Sequence, residues 1–431
     1  MEGKTANRKI VQSVFGHIGQ LPLLRPLSER NFRLLWLGES ISVFGGQFGG
    51  IALTWVTLQV TGSGLALGTV LMAAAIPNAV FMLFGGVLSD RFSPRWLMLI
   101  SNISRCIIVA VLALLVFLEA IELWHLYVLA VLYGLLGAFF SPALMTLIPQ
   151  LVSRDRLEAG NSLVQGTMQL SSLTGAAPAG FLISAFGVAV AFGVDAISFA
   201  VAAMMLWLIK QVNRQPVPST VDEVKPARRF RLGDTLADIR SGLRVVWGTP
   251  AFKVLIPAIA VVNFCFSGPL SVGLASMAYS RFTGGAASLG IVMAVAGGAA
   301  LLGSLLAGSI RLRHRGLLLL GIYAVRGAGM IVLGSAQDVV TASLLVAAVS
   351  LTGGLANIMI IAWIQATAQP AMLGRVMGLM LFASVGLQPL SYAVAGSLVD
   401  MNTGVMFTAS GILILVTGLY LAANRVIRTL D

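Results

Sequence analysis

Charged residues and cysteines are both scarce in this sequence. Aspartate, glutamate, lysine and arginine together make up 10% of its 431 residues, whereas soluble proteins carry about 25% because their surfaces face water. A soluble globular domain is therefore excluded. The two cysteines, Cys106 and Cys265, both lie inside apolar segments, so we expect neither a disulfide framework nor a metal site.

The common catalytic motifs are also missing. No G-x-x-x-x-G-K-S/T segment occurs, which excludes nucleotide hydrolysis through a P-loop. Zinc-ligand spacings and the G-x-S-x-G nucleophile elbow are absent, and His17, His125 and His314 are far apart in the chain. A membrane-embedded enzyme would need histidines or acids clustered at one depth, and the sequence shows no such cluster. We expect no enzyme, no cofactor and no bound metal.

Hydrophobic residues, by contrast, make up 58% of the chain, and its mean hydropathy is +0.93. A helix needs roughly 20 apolar residues to cross a bilayer, so the length allows about twelve spans with short loops. Many of the 47 glycines fall inside the apolar segments, where small residues let membrane helices pack closely. The sequence therefore predicts an all-α protein embedded in the lipid bilayer, with about twelve transmembrane helices.

Apolar stretches bounded by charges and turn residues predict these spans, which are numbered 1 to 12 in chain order. Residues 31–210 contain spans 1 to 6 and residues 251–427 contain spans 7 to 12, as two six-helix bundles. An N-terminal arm (1–30), a linker (211–250) and a tail (428–431) complete the organisation. The predicted bounds are 31–60, 64–88, 94–118, 123–151, 157–186, 188–209, 252–279, 286–310, 316–335, 339–367, 372–399 and 405–426.

The net charge of +12 could indicate a nucleic-acid partner, but its distribution favours a membrane topology. Basic residues cluster in alternate loops, and the opposite loops contain Glu119, Glu122, Asp338 and Asp400 with Arg281 as their one basic residue. The positive-inside rule then places both termini and the linker in the cytoplasm. We expect a multi-pass protein of the plasma (inner) membrane, with span 1 acting as its own signal and no nucleic acid bound.

The linker is the one long polar stretch. Residues 215–220 are rich in proline, glutamine and serine and predict a flexible connection. Farther on, apolar residues recur at three- and four-residue steps, which predicts an amphipathic helix lying against anionic headgroups. A simple strap between the halves and a regulatory element remain equal alternatives. The apolar positions are Leu232, Leu236, Ile239, Leu243 and Val246.

The second half echoes the first. Residues 61–70 (TGSGLALGTV) reappear as 283–292 (TGGAASLGIV), and Arg105 in span 3 corresponds to Arg326 in span 9. Two repeated six-helix halves are typical of transporters that rock about a binding site at the membrane midplane.

A recognisable signature follows span 2. Residues 85–95 read GGVLSDRFSPR and resemble the G-x-L-x-D-R-x-G-x-R signature of the major facilitator superfamily, with serine in place of its second glycine. Gly86, Asp90, Arg91 and Arg95 occupy matching positions. The resemblance implies that Asp90 and Arg91 latch the two halves in the outward-facing state. An ordinary cluster of cytoplasmic charges is the alternative.

The resemblance covers nearly the whole chain, and further segments indicate one branch of the superfamily. Residues 175–180 (GAAPAG) are similar to the antiporter motif of this superfamily. Five other segments look like the branch that contains macrolide efflux proteins and the enterobactin exporter. The fold implied is the major facilitator fold of two pseudo-symmetric six-helix bundles. The five segments are 141–144 (SPAL), 157–161 (LEAGN), 195–199 (DAISF), 373–376 (LGRV) and 386–391 (GLQPLS).

Four ionisable residues lie at membrane depth: Glu39, Arg105, Asp195 and Arg326. Charges there are costly and indicate function. Glu39 and Asp195 are candidates for proton coupling, with a wet vestibule for Glu39 and a hydroxyl-capped structural acid for Asp195 as alternatives. For the arginines we favour structural bonds to backbone carbonyls, although an anionic substrate would be attracted to them first.

The implied fold also indicates which spans line a substrate cavity. A mostly apolar cavity with few fixed charges suits a lipophilic small molecule. The candidates to contact it are Gln47, Tyr133, Asn263, Asn357, Gln388 and Tyr392.

These features together predict a secondary active exporter of small lipophilic or amphipathic compounds, of the drug or siderophore type. It would work by alternating access as a monomer, with protons as the coupling ion. A lysophospholipid flippase or a solute importer of the same fold is the alternative within transport. A membrane sensor or scaffold is the alternative outside it.

Overall fold

The computed structural model describes residues 22–210, 248, 250–309, 315–367 and 373–424, with the side chains of 82–91, 250–251, 315 and 373–375 left out. The described residues are helical and contain no β-strand, so the predicted all-α class is confirmed. The predicted linker helix, the basic cluster at 311–314 and most of the N-terminal arm lie outside the described residues. A short 3₁₀ helix, Pro22–Ser28, precedes span 1.

All twelve predicted spans are helical. The first six are Arg30–Thr61, Gly64–Arg91, Pro94–Phe117, Leu123–Leu151, Leu157–Phe186 and Val188–Leu208. Span 7 comprises Pro250–Gly268, a π-helical turn Pro269–Gly273 and Leu274–Ser280. Spans 8 to 10 are Gly285–Ser309, Arg315–Leu333 and Val339–Thr367, span 11 is Leu373–Val385 followed by Gln388–Met401, and span 12 is Thr403–Ala423.

Within the described residues, eleven helices are long and apolar enough to cross a membrane. Span 5 is not among them, although its 30 residues are sufficient in length. It contacts span 1 of its own half and span 8 of the other half, so polar residues such as Gln165 and Gln169 lie on a helix placed centrally between the halves. This position explains its low hydropathy.

Two spans contain breaks that the apolar pattern did not predict. In span 7, the Ser391 hydroxyl inserts between residues that would otherwise pair in the helix: it donates to the Phe264 carbonyl and accepts a hydrogen bond from the Gly268 N–H at 2.7 Å. Pro269, which follows, has no N–H to donate. A side chain inserted into the helical ladder and a proline are both known causes of distortion. In span 11, Pro389 stands in the first turn of the second segment.

The two halves repeat the same helix pairings. In the first half, span 2 packs on span 4, span 6 on spans 1 and 3, and span 1 on span 5. In the second half, the corresponding pairs are 8 with 10, 12 with 7 and 9, and 7 with 11. The sequence repeat is therefore reflected in packing, as pseudo-symmetric six-helix bundles require.

The halves meet along spans 2 and 11 and along spans 5 and 8. One end of the molecule carries the tight turns at Gly62, Gly187 and Asn402 and is called the turn end. The other, where span 6 ends and span 7 begins, is called the linker end. Gly68 of span 2 lies against the main chain of Tyr392 and Gly396, and Gly180 of span 5 lies against Gly290. The glycines allow backbones of opposite halves to touch toward the turn end.

Candidate functional site

The second half contains a cavity of about 400 Å³. Spans 7 to 11 form most of its wall, and Gln169 of span 5 adds a polar group from the first half. Its apolar lining includes Ile259, Val262, Phe266, Ile360 and Met380. Its polar lining consists of Gln169, Asn263, Ser304, Tyr323, Arg326, Ser350, Asn357 and Ser384.

Arg326 is the charged residue in this wall. Its guanidinium carbon lies 4.5 Å from the centroid of the Phe266 ring, within the range of a cation–π contact. Its Nε is buried without a hydrogen-bond partner. Gly353 lies opposite, and a Cβ added there would stand 3.7 Å from the guanidinium, so the glycine keeps space open beside the charge.

Arg105 occupies the corresponding position in the first half, but its surroundings differ. Its guanidinium carbon lies 5.0 Å from the ring centroids of Tyr133 and Phe140 and 5.7 Å from that of Phe199. Its Nε is also buried without a hydrogen-bond partner. Among the described residues, neither Arg105 nor Arg326 donates to a backbone carbonyl, which leaves the expected structural bonds without support.

The two intramembrane acids lie near Arg105. Glu39 of span 1 is 7% exposed and Asp195 of span 6 is 2% exposed. Arg105 acts electrostatically on both carboxylates, although no ion pair within 4.0 Å joins them among the described residues. The first half thus contains two acids that each lie within electrostatic range of the same base, Arg105.

Span 6 holds Asp195 against span 1 through small residues. The Asp195 side chain rests on Gly45 and Gly49. The Ser198 hydroxyl donates to the Asp195 carbonyl at 2.7 Å and lies 3.5 Å from its Oδ1. Asp195 also lines a second, more apolar cavity of about 280 Å³ together with Tyr133, Gly46 and Gly50. Glu39 is not among the residues lining either cavity.

The structure brings together only some of the predicted substrate contacts. Asn263 and Asn357 lie in the cavity with Arg326, and Tyr133 lines the smaller cavity. Gln47 packs against Gly175. Gln388 Nε2 donates to the Tyr392 hydroxyl at 2.6 Å, and neither side chain is part of the lining of either cavity.

Several lining residues were missed by sequence reasoning. Tyr323 stands one helical turn before Arg326, and that spacing could have indicated it. Ser304, Ser350 and Ser384 lie on spans without any polar pattern that marks one face, so the sequence carried no signal for them. Gln169 was hidden in the polar span 5.

The structure describes the side chain of only one residue of the predicted gating motif, Arg95. Gly86, Asp90 and Arg91 lie within the span 2 helix, and their side chains are outside the described part. Arg95 Nε donates to the Leu206 carbonyl at 2.8 Å, and its Nη2 donates to the Trp207 carbonyl at 2.7 Å. Arg95 therefore caps the end of span 6 in its own half, where carbonyls lack helical partners.

The turn end joins the halves by direct hydrogen bonds. Asp400, at the end of span 11, accepts from the Ser63 hydroxyl at 2.6 Å, from Gly64 N–H at 2.6 Å and from Leu65 N–H at 3.1 Å. The Ala287 N–H of span 8 donates to the Ser184 hydroxyl of span 5 at 3.0 Å. These contacts close the turn end.

Comparison with known proteins gives a consistent result. A family model described as Major Facilitator Superfamily matches residues 35–391. The multidrug efflux pump Tap of Mycolicibacterium fortuitum is 29% identical over 224 residues, 51% of either chain. Macrolide efflux protein A of Streptococcus pyogenes is 22% identical over 42% of this chain and 44% of its own length. The enterobactin exporter EntS of Citrobacter koseri is 25% identical over 53% and 56%, respectively.

The chain thus matches about half the length of these curated relatives. Solved structures match over almost the whole chain at lower identity. A POT family transporter in complex with 5-aminolevulinic acid has a TM-score of 0.71 at 14% identity, covering 93% of this chain and 97% of that one. A mutant of the nucleoside transporter NupG has a TM-score of 0.68 at 14% identity, covering 90% and 99%. At this identity the likeness concerns the fold alone.

Proposed function

The chain belongs to the Major Facilitator Superfamily, and from this we propose that it is a secondary active exporter of small lipophilic or amphipathic compounds. It is a multi-pass membrane transporter rather than an enzyme of any recognisable class. The observation that carries the proposal is the cavity of about 400 Å³ between apolar walls, with polar groups concentrated at a few positions. Pockets of that kind bind mostly apolar ligands and orient them through a few polar contacts.

The efflux functions printed for the multidrug, macrolide and enterobactin relatives support the direction of transport. We place the linker end in the cytoplasm on the basis of the positive-inside rule. On this proposal the turn end, which is closed by Asp400 and Ser184, faces outward, as expected for an inward-facing state. Alternating access would require these contacts to break while the linker end closes.

Proton antiport is the coupling that the first half supports best. A proton-carrying side chain must lie at membrane depth, and it must bind and release a proton as the cavity opens to one side and then the other. Glu39 and Asp195 are the acids that fit this requirement, and Arg105 lies close enough to respond to their charge. Asp90 and Arg91 would latch the linker end in the opposite, outward-facing state.

We further propose that the protein acts as a monomer in the plasma membrane. The bundle provides a cavity and gates within one chain. The relatives with printed efflux functions are bacterial.

The test is transport by the purified protein in proteoliposomes. A panel of lipophilic cations, anions and neutral compounds is loaded inside or outside, with and without an imposed pH gradient. Movement out of the compartment that the linker end faces, driven by protons entering, is the expected result. Accumulation in the opposite direction would indicate an importer, and no movement of any compound would refute transport of this substrate class.

A further inference from the structure

The second half contains a positive charge at membrane depth that no acid of that half can neutralise. Between residues 251 and 427 the sequence has only two acidic residues, Asp338 and Asp400. Both stand at the turn end and both are engaged. Asp338 accepts from the Thr341 N–H at 2.8 Å and from its hydroxyl at 2.7 Å, and Asp400 binds the start of span 2. Arg326 therefore has no carboxylate partner in its own half, and none among the described residues of the other half.

In the first half, by contrast, acidic residues lie close enough to the equivalent arginine to offset its positive charge. Arg105 has Glu39 and Asp195 within electrostatic range, and three aromatic rings surround it. Among the described residues, Arg326 has one ring beside it, that of Phe266, and its buried Nε has no hydrogen-bond partner. An unpaired charge out of water is costly, and a ring face offsets only part of that cost.

Because of its position, Arg326 could contact a negatively charged ligand bound in the cavity. The side chain is half-buried and lines the cavity of about 400 Å³. Asn357 offers an amide in the same wall. Asn263 also lines the cavity, but its Nδ2 already donates to the Ile259 carbonyl at 2.9 Å.

We propose that this cavity binds an organic anion, with the acidic group of the ligand on Arg326 and its apolar body along Phe266, Val262 and Ile360. A guanidinium offers two parallel N–H donors to a carboxylate or phosphate. The inference rests on the proposed function and narrows its substrate class to amphipathic acids. The anionic head can come from a dissolved substrate or from an acidic lipid, and both have the same recognition chemistry.

The test compares two fluorescent probes that differ in charge alone, pyrenebutyrate and pyrenebutanol. Their binding to the full-length protein in nanodiscs of phosphatidylcholine is measured by equilibrium titration. We expect the acid to bind at least about tenfold more tightly than the alcohol, a preference of the size that one charge-assisted contact supplies. Arg326→Gln should reduce this preference to near one, while Arg326→Lys, which keeps the charge, should retain part of it.

Arg281→Gln is the matched control. It removes one positive charge from the same half at the turn end, where Arg281 donates to the Gly334 carbonyl at 3.1 Å, and it should leave the preference intact. Nanodiscs containing phosphatidylglycerol distinguish the two sources. Competition by that lipid identifies a headgroup as an occupant, and undiminished binding identifies the dissolved acid; either result supports an anion site.

Equal affinity for the two probes in the wild-type protein would overturn the inference, as would an unchanged preference in folded Arg326→Gln. If Arg326→Gln fails to fold, a preference for the acid in Arg326→Lys that lies between one and the wild-type value supports the guanidinium contact, and a preference equal to that of the wild type contradicts it. Selective binding without transport of any compound would contradict only the export proposal. Transport of neutral compounds, unaffected in Arg326→Gln, would contradict only this inference.

Discussion

Removing the Asp400 carboxylate should open the turn end. This residue is the polar link between span 11 and the start of span 2, and its oxygens accept three hydrogen bonds, from Ser63, Gly64 and Leu65. The two N–H groups stand at the first turn of span 2, where backbone donors lack helical partners and negative charge is favoured. Asp400→Ala deletes all three bonds at once.

The expected size of the effect follows from this geometry. Buried hydrogen bonds to a charged group contribute about 1.5–3 kcal/mol each, but the Asp400 side chain is exposed, so solvent reduces each contribution. We take the net contribution of the three as about 1–2 kcal/mol, which corresponds to a factor of about 5–30 in the equilibrium between closed and open turn ends. Asp400→Asn retains one acceptor oxygen and should shift the equilibrium less.

Double electron–electron resonance measures the shift directly. Spin labels at Val60 and Val405, which are exposed and lie at the turn ends of opposite halves, report the distance across the closed contact in a variant without Cys106 and Cys265. Asp400→Ala should increase the population of the longer distance.

The control is Asn402→Ala. Asn402 accepts from Gly404 N–H at 2.8 Å and Val405 N–H at 3.2 Å, capping span 12 within its own half. Its loss costs about 1 kcal/mol of helix stability but breaks no bond between the halves. An unchanged distance distribution in Asp400→Ala, or an equal shift in Asn402→Ala, would refute the latch.

Three further outcomes test the remaining proposals. Glu39→Gln should abolish transport driven by a pH gradient while substrate binding persists, and Asp195→Asn should lower protein yield more than it alters pH dependence; pH-driven efflux that is unchanged in the first variant removes that acid from coupling. Asp90→Asn should leave the protein folded in the membrane but reduce transport at least about tenfold, measured as initial rates in proteoliposomes, since the latch that favours the outward-facing state would lose its charge. Cysteines introduced at Ser219 and Gly187 should react with an impermeant maleimide from opposite sides of intact cells, and labelling of both from outside would overturn the orientation.

The spans were predictable because hydrophobic length is a strong local signal. Span 4 and span 5 begin and end at the predicted residues. The break in span 7 was not predictable, because it is caused by Ser391, which lies more than a hundred residues later in the chain, and no local sequence pattern indicates such a contact.

The sequence indicated which charged residues lie at membrane depth, but it did not indicate how they are arranged around the candidate site. Arg105 and Arg326 are equivalent in the sequence repeat, and their neighbouring residues do not show which of the two lies near acids. The difference arises from tertiary packing, which places Asp195 near Arg105 and leaves Arg326 beside a cavity. Most of the spans are apolar on every side, so periodicity does not indicate which face of a helix points inward.

The glycine contacts between spans 2 and 11 and between spans 5 and 8 determine how the halves can part. At Gly68 and Gly180, main chain touches main chain, so parting the halves at these two positions does not require side chains to disengage or change rotamer. Glycine has no side chain, so at these positions the two helices do not interdigitate. We therefore expect a low energy barrier to separating the helices at these glycines. The hydrogen bonds at the turn end, rather than side-chain repacking along the helices, would then limit opening.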